Sequence, residues 1–135
     1  MADELVDKAR RVAEAYASGG VEAFAPAFAE LAAPDIVWRE DPTFPGADTF
    51  VGIDAVLSHL REIEGLLQVE QAIDGFERAG DTVLSLLRWR GIGASGAQGE
   101  MEVAMLTTFR AGRAEVVEFF FDRAQARAEL EARAG

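Results

Sequence analysis

The chain has 135 residues, half of them hydrophobic, enough for one well-buried core and too few for two ordinary domains; residues 1–135 read as a single domain. No cysteine and one histidine exclude a disulfide framework, a thiolate zinc centre and a multi-histidine metal site within one chain. A formal charge of −11 repels phosphate backbones, no apolar run approaches bilayer length, and the start is acidic where a signal peptide is basic. The sequence therefore predicts a soluble, cytoplasmic protein with no nucleic-acid or membrane partner.

From Asp3 to Ser18, apolar residues at Leu5, Val6, Ala9, Val12, Ala13 and Tyr16 follow the three-and-four spacing of an amphipathic helix, and Gly19-Gly20 can close it. Val21 to Ala33 predicts a short second helix, with Phe24, Phe28 and Leu31 on one side and Pro26 either kinking it or standing in its first turn. Asp35 to Asp41 predicts a strand that hands over to a proline-bounded loop ending at Gly46, and Gly52 marks a turn into a helix from Ile53 to about Leu67. In that helix Val56, Leu57, Leu60 and Ile63 form the buried stripe. The second half changes period: Val69–Phe76, Thr82–Ile92, Glu100–Phe109 and Ala114–Phe121 predict four strands, joined mostly as antiparallel hairpins. The tail, Arg123 to Ala134, reads as a mainly solvated helix. Helices first and a meander of strands afterwards give an α+β domain, helices packed on one face of a curved sheet.

The chemistry-bearing residues gather round the Asp35–Asp41 strand. Asp41 at its end is a candidate general base if an apolar cavity raises its pKa; the other reading ties its carboxylate to the backbone of the following loop. His59 facing Asp41 makes an acid–base dyad, against which stands a packed, hydrogen-bonded structural histidine. Arg88 and Arg90 share a strand face. Turned inward with Leu84 and Leu86, they line the open end of the cavity and hold an anionic or carbonyl-bearing ligand; if Trp89 points in, they are solvated outside. Met105, Phe119 and Phe121, with Met101, Val103 and Val117, form an apolar lining or plain core. Trp38 and Phe44 lid the pocket or plug it. Phe120, on the opposite side from Phe119 and Phe121, suggests a homodimer face. A bulge near Arg39 exchanges which of Glu40 and Asp41 faces inward, and moves the base to Glu40.

Ala13-Glu14-Ala15-Tyr16 before Gly19-Gly20, the Asp35-to-Pro42 strand, Phe44-Pro45-Gly46, Phe50-Val51-Gly52, Thr107 to Arg113 and Glu118 to Arg123 together, in this order, resemble the nuclear-transport-factor-2-like (NTF2-like) superfamily. Within it, the resemblance is to the SnoaL-like proteins, with ketosteroid isomerases and limonene-epoxide hydrolases as more distant relatives. The resemblance implies a cone-shaped, cystatin-like fold: N-terminal helices packed in a strongly curved, mainly antiparallel sheet around an apolar cavity, often paired through its outer face.

In the isomerases of this superfamily an aspartate followed by proline is the base, and Asp41-Pro42 matches it. Their oxyanion donors fall on Val12, one turn before Tyr16, and on Met105, neither of which donates a hydrogen bond, so steroid isomerisation of that type is disfavoured. Counting from Gly52 puts His59 where the superfamily turns a large side chain into the cavity, and the superfamily register favours Arg88 and Arg90 inward. Hydrolase chemistry matches poorly, since Glu102 alternates away from Met101, Val103 and Met105. The expectation is a small apolar, carbonyl-bearing ligand with no metal or cofactor. Asp41 would act as base, with His59, Tyr16 and one arginine orienting the ligand in an isomerase or aldol-type cyclase. The competing expectation is a non-catalytic binding or dimerisation module.

Overall fold

The computed structural model describes residues 3–43, 46–93 and 98–134, ordered as α1 (Glu4–Leu31), β1 (Ala32–Arg39), β2 (Thr49–Val51), α2 (Ile53–Leu66), β3 (Leu67–Ala79), β4 (Thr82–Gly93), β5 (Gln98–Arg110), β6 (Arg113–Phe120) and α3 (Arg123–Ala134). The six strands form one sheet in the order β2-β1-β6-β5-β4-β3; β1 and β6 run parallel and every other neighbouring pair is antiparallel. This is an α+β domain with the N-terminal helix packed on a mixed sheet. No helix among the described residues is long and apolar enough to cross a membrane.

α1 starts where the Asp3 carboxylate accepts from the Val6 amide at 3.2 Å, a side-chain cap for an otherwise orphaned donor. The two helices expected on either side of Gly19-Gly20 run as one element, broken at that pair. Gly20 sits at φ +65°, which glycine alone adopts without strain, and its missing side chain lets the Glu64 carboxylate approach. Glu64 accepts from the Val21 amide at 2.9 Å and so caps the second half of the helix. Pro26 lies within that half rather than at its start.

Strand parity sorts the side chains into two layers. Val83, Leu87, Val103, Val117 and Phe119 face α1, where they pack with Ala9, Ala13, Phe24, Phe28, Ile36, Trp38 and Val56. The alternate residues Leu84, Leu86, Ala104 and Leu106 face the other way and are covered by Ala126 and Leu130 of α3. The C-terminal helix is the mainly solvated element that its alternating Arg and Glu suggested, with most of its described residues exposed; Ala126 and Leu130, four apart, are the buried exceptions that pack it onto this face of the sheet. Phe120 packs into this second cluster. The exposed phenyl from which a dimer face was expected is thus half-buried beneath α3.

β2 is a short edge strand in the segment where only the Phe50-Val51-Gly52 turn was expected. It pairs Phe50 with Trp38 before Gly52, at φ +94°, turns the chain into α2.

Candidate functional site

β1 carries Ile36 and Trp38 inward, and Glu40, two residues on, keeps that parity as the strand ends. The Glu40 amide donates to Asp48 O at 3.1 Å, and the Asp48 amide donates back to Glu40 Oε1 at 3.2 Å. This exchange closes the neck of the loop between β1 and β2. The second carboxylate oxygen, Oε2, lies 2.9 Å from His59 Nε2. The two side chains are 18 and 16 % exposed, and Phe50 stacks on the imidazole with ring centroids 4.0 Å apart and planes 20° from parallel. One carboxylate thus fixes both a loop and an imidazole, while His59 Nδ1 takes no hydrogen-bond partner among the described residues.

Asp41 does something else. Its Oδ1 accepts from the Thr43 amide at 2.9 Å and the Thr43 hydroxyl at 2.7 Å, and its Oδ2 accepts from the Phe121 amide at 2.9 Å. The residue is only 6 % exposed. Burial pushes its carboxyl up, yet the bonds from Phe121 and Thr43 together outweigh that and hold it below the ordinary value of 3.8. A carboxylate held ionised by three donors is a poor proton acceptor. The expected Asp41–His59 dyad does not form: no hydrogen bond or ion pair joins the two, and the imidazole goes to Glu40. The chain turns at Asp41-Pro42, so the aspartate folds back over amides while Glu40 continues inward.

The arginines are also placed differently from the favoured reading. Trp89 points inward, its ring 5.6 Å from Phe119 and its Nε1–H donating to Gln71 Oε1 at 2.8 Å. Gln71 in turn donates to Ala13 O of α1. Opposite parity leaves Arg88 and Arg90 exposed on the convex side. There Arg88 Nε binds both Asp74 oxygens, at 2.9 and 3.1 Å, and no contact links either arginine to Asp41 or His59. Asp74 falls where β3 shifts register, between Ile73 and Gly75, and the shift lets one carboxylate serve both Arg88 and Arg123.

Tyr16 is half-buried and packs edge-on against Phe24 at 5.8 Å; burial, and then the charge of Glu64, push its phenol up. Trp38 is a buried plug, ring to ring with Phe24, Phe28 and Phe119 at 6.4, 5.7 and 4.8 Å. Met105 and Phe121 join the same core as partly buried residues. Phe44 lies outside the described residues. No cluster of three potential metal ligands occurs among the described residues.

A family model for the SnoaL-like domain matches residues 9–118. The chain belongs to the SnoaL-like domain family. Solved structures agree on the fold of this SnoaL-like chain. An NTF2-like protein from Burkholderia thailandensis is 26 % identical, with a TM-score of 0.76 over 99 % of this chain and 98 % of that one. TerC, co-crystallised with polyporic acid, is 19 % identical, with a TM-score of 0.76 over 95 and 98 %. A protein of ketosteroid isomerase-like fold from Catenulispora acidiphila, in complex with trimethylamine, is 16 % identical, with a TM-score of 0.71 over 93 and 92 %. No curated protein matches the sequence.

Glu40 was reachable from the sequence through parity with Trp38 once the tryptophan is taken as core. Its pairing with His59 was not, because nothing local encodes the depth at which α2 docks. Thr43, whose hydroxyl and amide hold Asp41, carries the ordinary signal of a Pro-Thr turn after an aspartate.

Proposed function

We propose that this SnoaL-like chain takes up a small apolar, carbonyl-bearing molecule beside the Glu40–His59 pair and moves a proton on it, as a cofactor-independent isomerase or aldol-type cyclase. The observation that carries this reading is the 2.9 Å Glu40–His59 contact, shielded on one side by Phe50. A carboxylate accepting from Nε2–H favours the tautomer with its lone pair on Nδ1, a geometry suited to general-base work. His59 Nδ1 takes a proton from the carbon next to the ligand carbonyl, leaving an enolate. The resulting imidazolium, stabilised by Glu40, returns the proton either to another carbon of the enolate system or to the alkoxide formed when the enolate carbon attacks a second carbonyl. Asp41 supports the loop and does not handle the proton. TerC's polyporic acid makes hydroxyquinones reasonable probes for this chain.

The test is exchange of carbon-bound hydrogen in deuterated water, followed by NMR on a panel of aryl ketones and hydroxyquinones. Exchange is expected with the native chain, falling by roughly 10²-fold or more in His59→Gln and less in Glu40→Gln. It should persist in Asp41→Asn wherever that variant remains folded.

A second reading is favoured by the interior itself. Trp38, Phe24, Phe28 and Phe119 fill the concave side, and Asp41 is spent on backbone amides. That suits a non-catalytic binding module with the same fold. Saturable binding of polyporic acid without any exchange in the panel would select this reading and remove the catalytic one.

A further inference from the structure

At the end of β1 away from Glu40, a second set of residues surrounds a cavity that the Glu40–His59 reading does not use. Ala32 lies opposite Ala114 and Arg39 opposite Glu118, so the β5–β6 hairpin and the Glu40 end are separated by the length of β1, roughly 20 Å at the usual strand rise. The cavity measures ≈ 330 Å³, within the ~300–1,000 Å³ usual for small-ligand sites. Lys8, Arg11 and Val12 come from the first half of α1, Ala27, Glu30 and Leu31 from its second half, and Ala111, Gly112 and Arg113 from the hairpin.

Three cations round one hollow stand out in a chain of net charge −11. Lys8 Nζ donates to Gly112 O at 2.7 Å and reaches Glu4 at 3.6 Å, a pair whose carboxylate is 83 % exposed and therefore contributes little. Arg113 donates one weak bond to Ala32 O at 3.4 Å. Neither Arg11 nor Arg113 has a carboxylate within ion-pairing distance among the described residues, although Glu30 lines the same cavity. Three cations and one carboxylate leave two net positive charges at the wall. Gly112, at φ +79°, brings the hairpin carbonyl onto Lys8, and a Cβ there would stand 3.1 Å from Nζ, so the turn is shaped to hold the ammonium in place.

We propose that this cavity binds a small dianion, a phosphate monoester, with Arg11 and Arg113 gripping the phosphoryl oxygens and the organic part resting on Val12, Ala27 and Leu31. Guanidinium groups match tetrahedral oxyanions through paired N–H donors, and two unpaired ones facing a common hollow lose no existing ion pair when the anion arrives. Lys8, anchored on the hairpin, adds charge without a direct grip. This site is independent of the Glu40–His59 reading.

The experiment is an NMR titration of the full chain with phenyl phosphate at constant ionic strength, with benzoate and inorganic phosphate as comparators. Saturable shifts of the Ala111, Gly112 and Arg113 amides are expected. Affinity should fall by about tenfold in Arg11→Gln and again in Arg113→Gln, while Arg61→Gln, on α2, changes nothing. Arg11 makes no contact that folding depends on, so its variant tests binding even if Arg113→Gln loosens the hairpin. Inorganic phosphate should bind the same residues more weakly for want of the apolar contact. An absence of saturable shifts at these amides would overturn the site, as would an Arg61→Gln loss equal to that of Arg11→Gln. Benzoate binding as tightly as phenyl phosphate would overturn the preference for a dianion.

Discussion

On the concave face of the sheet Trp38, Phe24, Phe28 and Phe119 lock ring against ring, and the residues that seal it are almost all apolar. On the convex face a smaller apolar strip, Leu84, Leu86, Ala104 and Leu106, is covered by a helix that also relies on charge. Arg123 donates to Leu87 O at 2.8 Å and to Asp74 at 2.7 Å, and it lies 3.0 Å from Glu102; Arg127 pairs with Glu77, and Arg133 with Glu118. On the convex side Arg123 Nε is a buried donor without a hydrogen-bond partner among the described residues. The first face should therefore open only with global unfolding, whereas α3 should detach from the second while the sheet remains.

Trp38→Ala is the sharpest way to test the first half of that contrast. It removes a buried indole from four-ring packing and should cost ~3–5 kcal/mol by urea denaturation, with the whole domain unfolding in one step. Leu130→Ala, on the other face, should cost ~2–3 kcal/mol, and its signature is location. Hydrogen exchange should accelerate in α3 while β4 and β5 stay protected. Equal loss of protection across α3 and the sheet would show that the two faces unfold together, and the contrast would fail.

Glu40 and Asp41 repeat the contrast between adjacent residues, one carboxylate committed to an imidazole and the other to amides. Asp41→Asn replaces an acceptor of three bonds by an amide that must point an N–H at one of the donors, and should cost about 1–3 kcal/mol at pH 7. The folded carboxyl lies below 3.8, so the stability it adds is fully present above that pH and is lost as pH falls below it toward the folded value. Acid titration of the unfolding free energy should therefore be steeper for the native chain than for Asp41→Asn below pH 3.8. Parallel curves would mean that Asp41 is not the carboxylate that its hydrogen bonds make it.

Much of this was legible beforehand, for identifiable reasons. The α2 stripe and the four long strands follow periodicity, which reports local burial directly; β5, for example, alternates Val103 and Met105 against Ala104 and Leu106, and the faces separate accordingly. The edge strand β2 was not legible, since three residues carry too little pattern. The arginine face was readable only as a choice between parities, and the deciding fact, that Trp89 has an inward hydrogen-bond partner in Gln71, is tertiary. Asp41 looked like a base because of where it stands along the chain; its donors come from residues 2 and 80 positions away, and only the nearer is local.

The smallest expected effect separates the ion pairs of the convex face from one another. Arg127 and Glu77 form a close pair at 2.9 Å, but both side chains are nearly half exposed, and exposed pairs of this kind add little once side-chain ordering is counted. Arg127→Ala should leave the urea midpoint unchanged within error. Arg123 sits deeper, takes a backbone carbonyl as well as two carboxylates, and stands at the start of α3, so Arg123→Ala should lower the midpoint and free the helix at its first turn. Asp74 supplies the acid signature of the same contact: Arg123, then Arg88, hold its carboxyl below 3.8, so α3 should loosen as pH falls under that value even where the aromatic face stays closed. If 1 M salt shifts Arg123→Ala and the native chain equally, the depth of the contact protects nothing, and all the ion pairs under α3 are surface pairs.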